Sequence, residues 1–161
     1  MTQNDDIEVI KKSIREYAHS TESIEVTDTT DSAGNQCLEW RTVIILEMFG
    51  AKARHGKEER LSRQQVPVQF DVSFDQAQKH ILVFIQWGRI EPSIWFDSEQ
   101  EVRAELSKEG NIVLRYHEDR EVMELCVVYP FHEFDFAFVY EEIVSIFGMI
   151  NGYLFRKSNN V

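Results

Sequence analysis

The chain has 161 residues, a length that suits a single domain. Hydrophobic residues make up 43% of it and phenylalanine occurs 11 times, which supplies a core and argues against a disordered chain. The formal charge of −11 argues against non-specific nucleic-acid binding and suits a soluble domain or a surface that meets a basic client.

Positions 5–19 predict a helix, because Ile7, Ile10, Ile14 and Tyr17 fall three or four apart on one stripe. Asn4 or Asp5 can cap it. Ile24 and Val26 alternate with polar neighbours, as on a short strand, and Asp28 to Asn35 carries turn chemistry. Cys37 to Phe49, with Val43, Ile44, Ile45 and Leu46 at its centre, reads as a buried strand on its β-branched content.

Positions 51–65 read as a loop or a short helix. Lys52, Arg54, Lys57, Arg60 and Arg63 stand against Glu58 and Glu59, a balance of +3, the one basic island of an acidic chain. Val66, Val68, Phe70, Val72 and Phe74 then alternate with polar residues and predict a strand with one wet face, Pro67 suiting its beginning or an edge. Asp75 to Lys79 turns the chain, and Ile81 to Trp87 returns as a central strand.

Positions 88–100 read as a loop with a possible short strand. Glu101–Ser107 and Asn111–His117 predict a hairpin about Lys108-Glu109-Gly110, with a helix over Ser98–Leu106 as the competing assignment. Val122 to Tyr129 makes the final strand. A long helix follows, to about Lys157, with Phe136, Tyr140, Ile143, Phe147, Ile150 and Leu154 on one face. The architecture expected is α+β: an antiparallel meander of about five to seven strands, an N-terminal helix, and a long C-terminal helix packed on one face. It forms one domain over 1–161, with 1–4 and 158–161 frayed.

Candidate sites are of two kinds. Trp87, Trp95 and Phe96 lie close together around Gly88 and Pro92, as an aromatic anchor for a partner or as a plug of the core. Lys52, Arg54, Lys57, Arg60 and Arg63 form a docking patch for an anionic partner or a solvated loop. Across 91–142 there are 14 acidic and 4 basic residues, so the two regions could steer two copies together. Ser145, Gly148 and Gly152 form a small-residue stripe suited to close packing or to a dimer contact.

Catalytic chemistry is poorly represented. His19, His55, His80, His117 and His132 show no metal-binding spacing. His117-Glu118-Asp119 and the group of His132, Glu133 and Asp135 read as polar turns before they read as ligands. Cys37 and Cys126 sit in apolar runs as small hydrophobes. There is no nucleotide-binding glycine pattern and no nucleophile elbow. No cofactor or metal is expected. The N-terminal residues MTQNDDIEVI show neither a secretory nor a lipidation pattern, and charges interrupt the most apolar stretch, so a cytoplasmic, non-membrane protein is expected.

The segments VRAELSKEGNIVLRYHEDREVMELCVVYPF and FAFVYEEIVSIFGMINGYLF, with the leading helix Asp5–Ala18, resemble type III secretion chaperone-like domains and the related YbjN-type small bacterial domains. The resemblance covers about the last 55 positions and the first 25. In the middle, the basic island and the 66–87 hairpin stand where that family places a dimerisation helix. The resemblance implies a non-enzymatic, dimeric α+β domain that holds an extended partner segment. The expected function is therefore a chaperone- or adaptor-like protein- or peptide-binding homodimer. The alternative is a helix-grip pocket for a small molecule between sheet and C-terminal helix, with enzymatic use open.

Overall fold

Ile7, Ile10, Ile14 and Ala18 recur at helical spacing, and all four are buried along one side of the first helix, α1 (Gln3–Glu22). The computed structural model describes residues 3–22, 25–54, 57–132 and 134–158; for 3–5, 20–22, 47–54 and 57–62 it describes the backbone alone. After α1 come β1 (Thr27–Thr30), β2 (Gln36–Arg54), β3 (Lys57–Asp75) and β4 (His80–Gly88). Then follow α2 (Pro92–Leu106), β5 (Ile112–His117), β6 (Val122–Pro130) and α3 (Phe136–Ser158). The strands form one six-stranded antiparallel sheet in the order β1-β2-β3-β4-β6-β5. The chain is α+β as the sequence predicts, but the meander holds only through β4. It then crosses by α2 to the far edge and returns with β6 between β4 and β5.

Alternation places the apolar side chains of each strand on one face. Leu38, Trp40, Ile44 and Leu46 of β2 join Val68, Phe70, Val72 and Phe74 of β3, and Ile81, Val83, Ile85 and Trp87 of β4. Leu114, Met123, Leu125 and Val127 extend this face through β5 and β6. Onto it α3 lays Phe136, Val139, Ile143, Phe147, Ile150 and Leu154, five of which the sequence pattern had already placed there. Rings lock the layers. Trp40 and Phe70 stack at 5.0 Å, Phe136 meets Trp40 edge-on at 5.7 Å, and Phe147 meets Trp87 at 4.7 Å. Tyr17 of α1 reaches Phe136 and Tyr140 of α3 at 5.4 and 5.3 Å, so the two helices share one aromatic seam.

Polar contacts fix the periphery. Lys11, although 6% exposed, donates to Asp28 at 3.3 Å and to Gln36, tying α1 to the β1–β2 hairpin. In that hairpin Asp31 accepts the N–H groups of Ala33 and Asn35, both at 2.9 Å, and the hydroxyl of Ser73 on β3 at 3.0 Å. Gly34 takes φ of +85° there, which any other residue adopts only at a cost.

Three sequence expectations are corrected. The described positions 51–54 and 57–65 are strand, not loop or short helix: β2 runs to Arg54 and β3 starts at Lys57, and the two pair as far as Arg54↔Lys57. The strand read at Glu101–Ser107 is instead the end of α2, as the competing helix over Ser98–Leu106 had it, and no hairpin joins it to β5. Val102 and Leu106 satisfy both periods, but Trp95, Ser98, Val102 and Leu106 are the buried set, at helical spacing. Pro92 occupies the helix's first turn, and Arg103 pairs with Glu99 one turn back, at 2.8 Å. The first strand is Thr27–Thr30, one step beyond the alternation at Val26; Ile24 lies outside the described residues.

Gly148 answers part of the question raised by the small-residue stripe. A Cβ there would lie 3.7 Å from Cδ2 of Leu46, an ordinary contact, so the helix approaches β2 of its own chain at this point. Ser145 is exposed, and Gly152 faces the Arg156 side chain. Gly148→Ala is expected to stabilise the protein by up to about 1 kcal/mol, since it removes a helix glycine penalty without a clash. Phe136→Ala, which empties the centre of the seam, should cost about 3–5 kcal/mol. Urea unfolding of the two variants beside the parent measures both; a loss of stability in Gly148→Ala would contradict the open packing at that position.

Candidate functional site

The aromatic triad divides on folding. Trp95 is 1% exposed, covered by Arg103 at 5.6 Å and packed on Tyr116, and Trp87 is 3% exposed against Phe147. Both tryptophans therefore belong to the core, which is the plug reading and not the surface anchor. Phe96 alone presents a surface, at 52% exposure, with its edge toward Tyr116 at 6.1 Å.

The basic island has the opposite fate. β3 pairs with β4 only from Gln69 to Asp75, and β1 pairs with β2 only over Gln36–Glu39. Beyond those limits β2 and β3 continue together as a two-stranded arm that projects from the sheet. The backbones of Lys52, Arg54, Lys57 and Arg60 lie at the far end of this arm, and Arg63 is exposed part-way along β3. His55 lies outside the described residues. At the root of the arm, Ile44 and Leu46 are buried toward α3, whereas Val43 and Ile45, on the other face, are 39% and 48% exposed.

Two notches flank the root on the β4 side. One, of about 300 Å³, is lined by Arg41, Pro67, Val68, Gln86, Trp87 and Val122. The indole Nε1 of Trp87 has no hydrogen-bond partner among the described residues. The other, of about 290 Å³, lies toward the helices and is lined by Gln64, Arg89, Ile90, Ile94, Leu154 and Phe155. A third cavity of about 460 Å³ lies beside β1, between Glu25, Glu39 and Arg41. Sequence reasoning missed Arg41, Gln64 and Arg89. The signal that could have led to them is Pro67 inside an alternating run, since a strand keeps proline where one edge is unpaired.

The face of the sheet turned away from the helices carries its own charge pattern. Register aligns Glu39, Asp71, Phe84, Cys126 and Val113 in one row across five strands. The next row holds Arg41, Gln69, Gln86, Glu124 and Arg115. Asp71 is half-buried, and burial pushes its carboxyl up; the Glu39 carboxylate opposite pushes the same way, while a hydrogen bond from Gln69 at 3.2 Å opposes. Burial likewise raises the Cys126 thiol to about 11, so it is not a ready thiolate. His117 stands 3.9 Å from Glu124, and no group of three His, Cys, Asp or Glu among the described residues is arranged to hold a metal. No described helix is long and apolar enough to cross a membrane. Compared with family models, with curated proteins and with solved structures, the chain matches none.

Because Asp71 binds its proton more tightly in the fold than in the unfolded chain, its protonated form favours folding. That contribution is complete below the ordinary aspartate value of 3.8 and is lost as pH rises through the raised folded value. Asp71→Asn keeps an acceptor for Gln69 and should raise the urea midpoint at pH 7, the gain closing as the pH falls to about 4. An unchanged or lower midpoint at pH 7 would contradict this account of the face.

Proposed function

We propose that this chain is a non-enzymatic protein- or peptide-binding domain of the chaperone or adaptor kind that works as a homodimer. The observation that carries the reading is the β2–β3 arm, which leaves the sheet with Val43 and Ile45 exposed on one face. A two-stranded ribbon is marginal in water and gains stability when a surface covers its apolar side. The arm's sequence is basic over 51–65, and the segment 91–142, with 14 acidic and 4 basic residues, is strongly acidic. Two copies can therefore meet arm to body with opposite charges facing. The space in which a helix-grip pocket would open, between the sheet and α3, is filled by Trp40, Phe70, Phe136 and Phe147, and this favours a binding surface over a small-molecule pocket.

Light scattering after size exclusion tests the homodimer. The full chain is expected at twice the 18.9 kDa monomer mass, and Val43→Glu with Ile45→Glu should return it to monomer with its unfolding midpoint little changed. A monomer mass for the parent at every concentration would sink the dimer.

A further inference from the structure

The six-stranded sheet treats its edges unequally. At β5, Arg103 donates through Nη1 to the carbonyl of Leu114 at 3.1 Å, so a side chain of α2 occupies part of that edge. At β1 the edge is four residues long, and Asp28 on it is held by Lys11 and Arg15 of α1. Both are ways of blunting an edge against a further strand. The β4-side edge of β3 is different. Between Lys57 and Val68 it pairs with no strand, and none of the described residues from Arg63 to Val68 makes a backbone hydrogen bond outside the β2–β3 ladder.

We infer that this edge accepts an extended acidic peptide from a partner protein, added as a strand where a longer β4 would run. The inference rests on the protein-binding reading above and names its site and mode. Side chains of an added strand alternate between the two faces of the sheet. Two notches flank this edge at the root of the arm, one beside Arg41, Gln86 and Trp87, the other beside the start of α2 and the end of α3. Their β3 lining residues Gln64 and Val68 stand four residues apart, roughly 13 Å, so side chains about four residues apart on one bound segment reach both. Each notch pairs apolar residues with an arginine: Pro67, Val68 and Val122 with Arg41, and Ile90, Ile94 and Leu154 with Arg89, beside which Glu91 also lines the second.

Charge selects the occupant. Arg41, Arg63 and Arg89 are exposed around the edge, and the island's remaining cations lie farther along the arm. The same edge of a second copy would bring basic residues against basic residues, so self-pairing is disfavoured and an acidic segment is favoured. Pro67, which has no N–H, sets where the added ladder ends.

The test uses a fluorescein-labelled peptide, Glu-Glu-Val-Leu-Val-Leu-Glu-Glu, with the full-length chain. Fluorescence anisotropy should show saturable binding that weakens with salt, and about tenfold or greater weakening in Arg41→Glu with Arg89→Glu. A lysine-flanked peptide and one with proline replacing the central valine should bind at least about tenfold more weakly, the latter through the lost backbone donor. Amide exchange should slow along Arg63–Val66 when the acidic peptide is bound. Absence of binding, or equal binding of the proline peptide, overturns the strand-addition site while leaving the dimer measurement to decide the broader reading. Binding that leaves those amides unprotected places the peptide elsewhere and overturns the site as well.

Discussion

The contact on which the rest depends is the stack of Trp40 on Phe70, two rings at 5.0 Å and nearly parallel. They face each other in the β2–β3 register, and Phe70 is at the same time paired with Ile85 of β4. Phe136 and Tyr140 of α3 close over this pair, and Tyr17 of α1 closes over them in turn. Five aromatic side chains from four elements thus form one joint. Rings of this size bury the most apolar area per residue, and edge-on contacts add directional preference, so the joint sets both which face is covered and how the helices cross it.

The joint also decides where the sheet stops being a sheet. Just beyond it, β3 loses β4 and β2 has already lost β1, so the hairpin continues alone. It is not unsupported at first. Ile44 and Leu46 remain buried, and α3 runs close enough that a Cβ at Gly148 would sit in ordinary contact with Leu46. One side of the arm's root is therefore stabilised from within the chain, while Val43 and Ile45 on the other side are left to solvent. The asymmetry is physical: a ribbon with one face packed is rigid enough to present the other.

Much of this was legible in the residues. The 3.6 period of α1 and α3 and the strict alternation from Val66 to Phe74 each specify one structure and one buried face, and the helix-on-sheet architecture follows from them. Two elements were not legible for definite reasons. Val102 and Leu106, four apart, fit a strand and a helix equally, and only the burial of Trp95 and Ser98 on the same side settles α2. The resemblance to chaperone-like domains leaned partly on that same segment as a strand, so its implied order of elements changes with it. Only the outer part of the arm, 51–65, was hidden, because its residues are mostly polar and charged; Cys37–Phe49 and the alternation from Val66 were read as strands. Pattern methods see strands through alternating apolar residues, and the sequence over 51–65 offers little such alternation.

That last point bears on what an edge is for. A polar, charged ribbon is the form in which an unpaired edge can be kept in water without aggregation, because lysine and arginine repel a second copy of the same edge. The two outer edges of this sheet are guarded by contacts within the chain, Arg103 on Leu114 and α1 on Asp28. The arm is guarded by charge, and charge, unlike a covering helix, discriminates by sign. A device that excludes its own kind leaves open an approach by a segment of opposite charge. On the proposed reading, the same cations that keep the arm in water also select the segment it takes, without any change in the core that carries it.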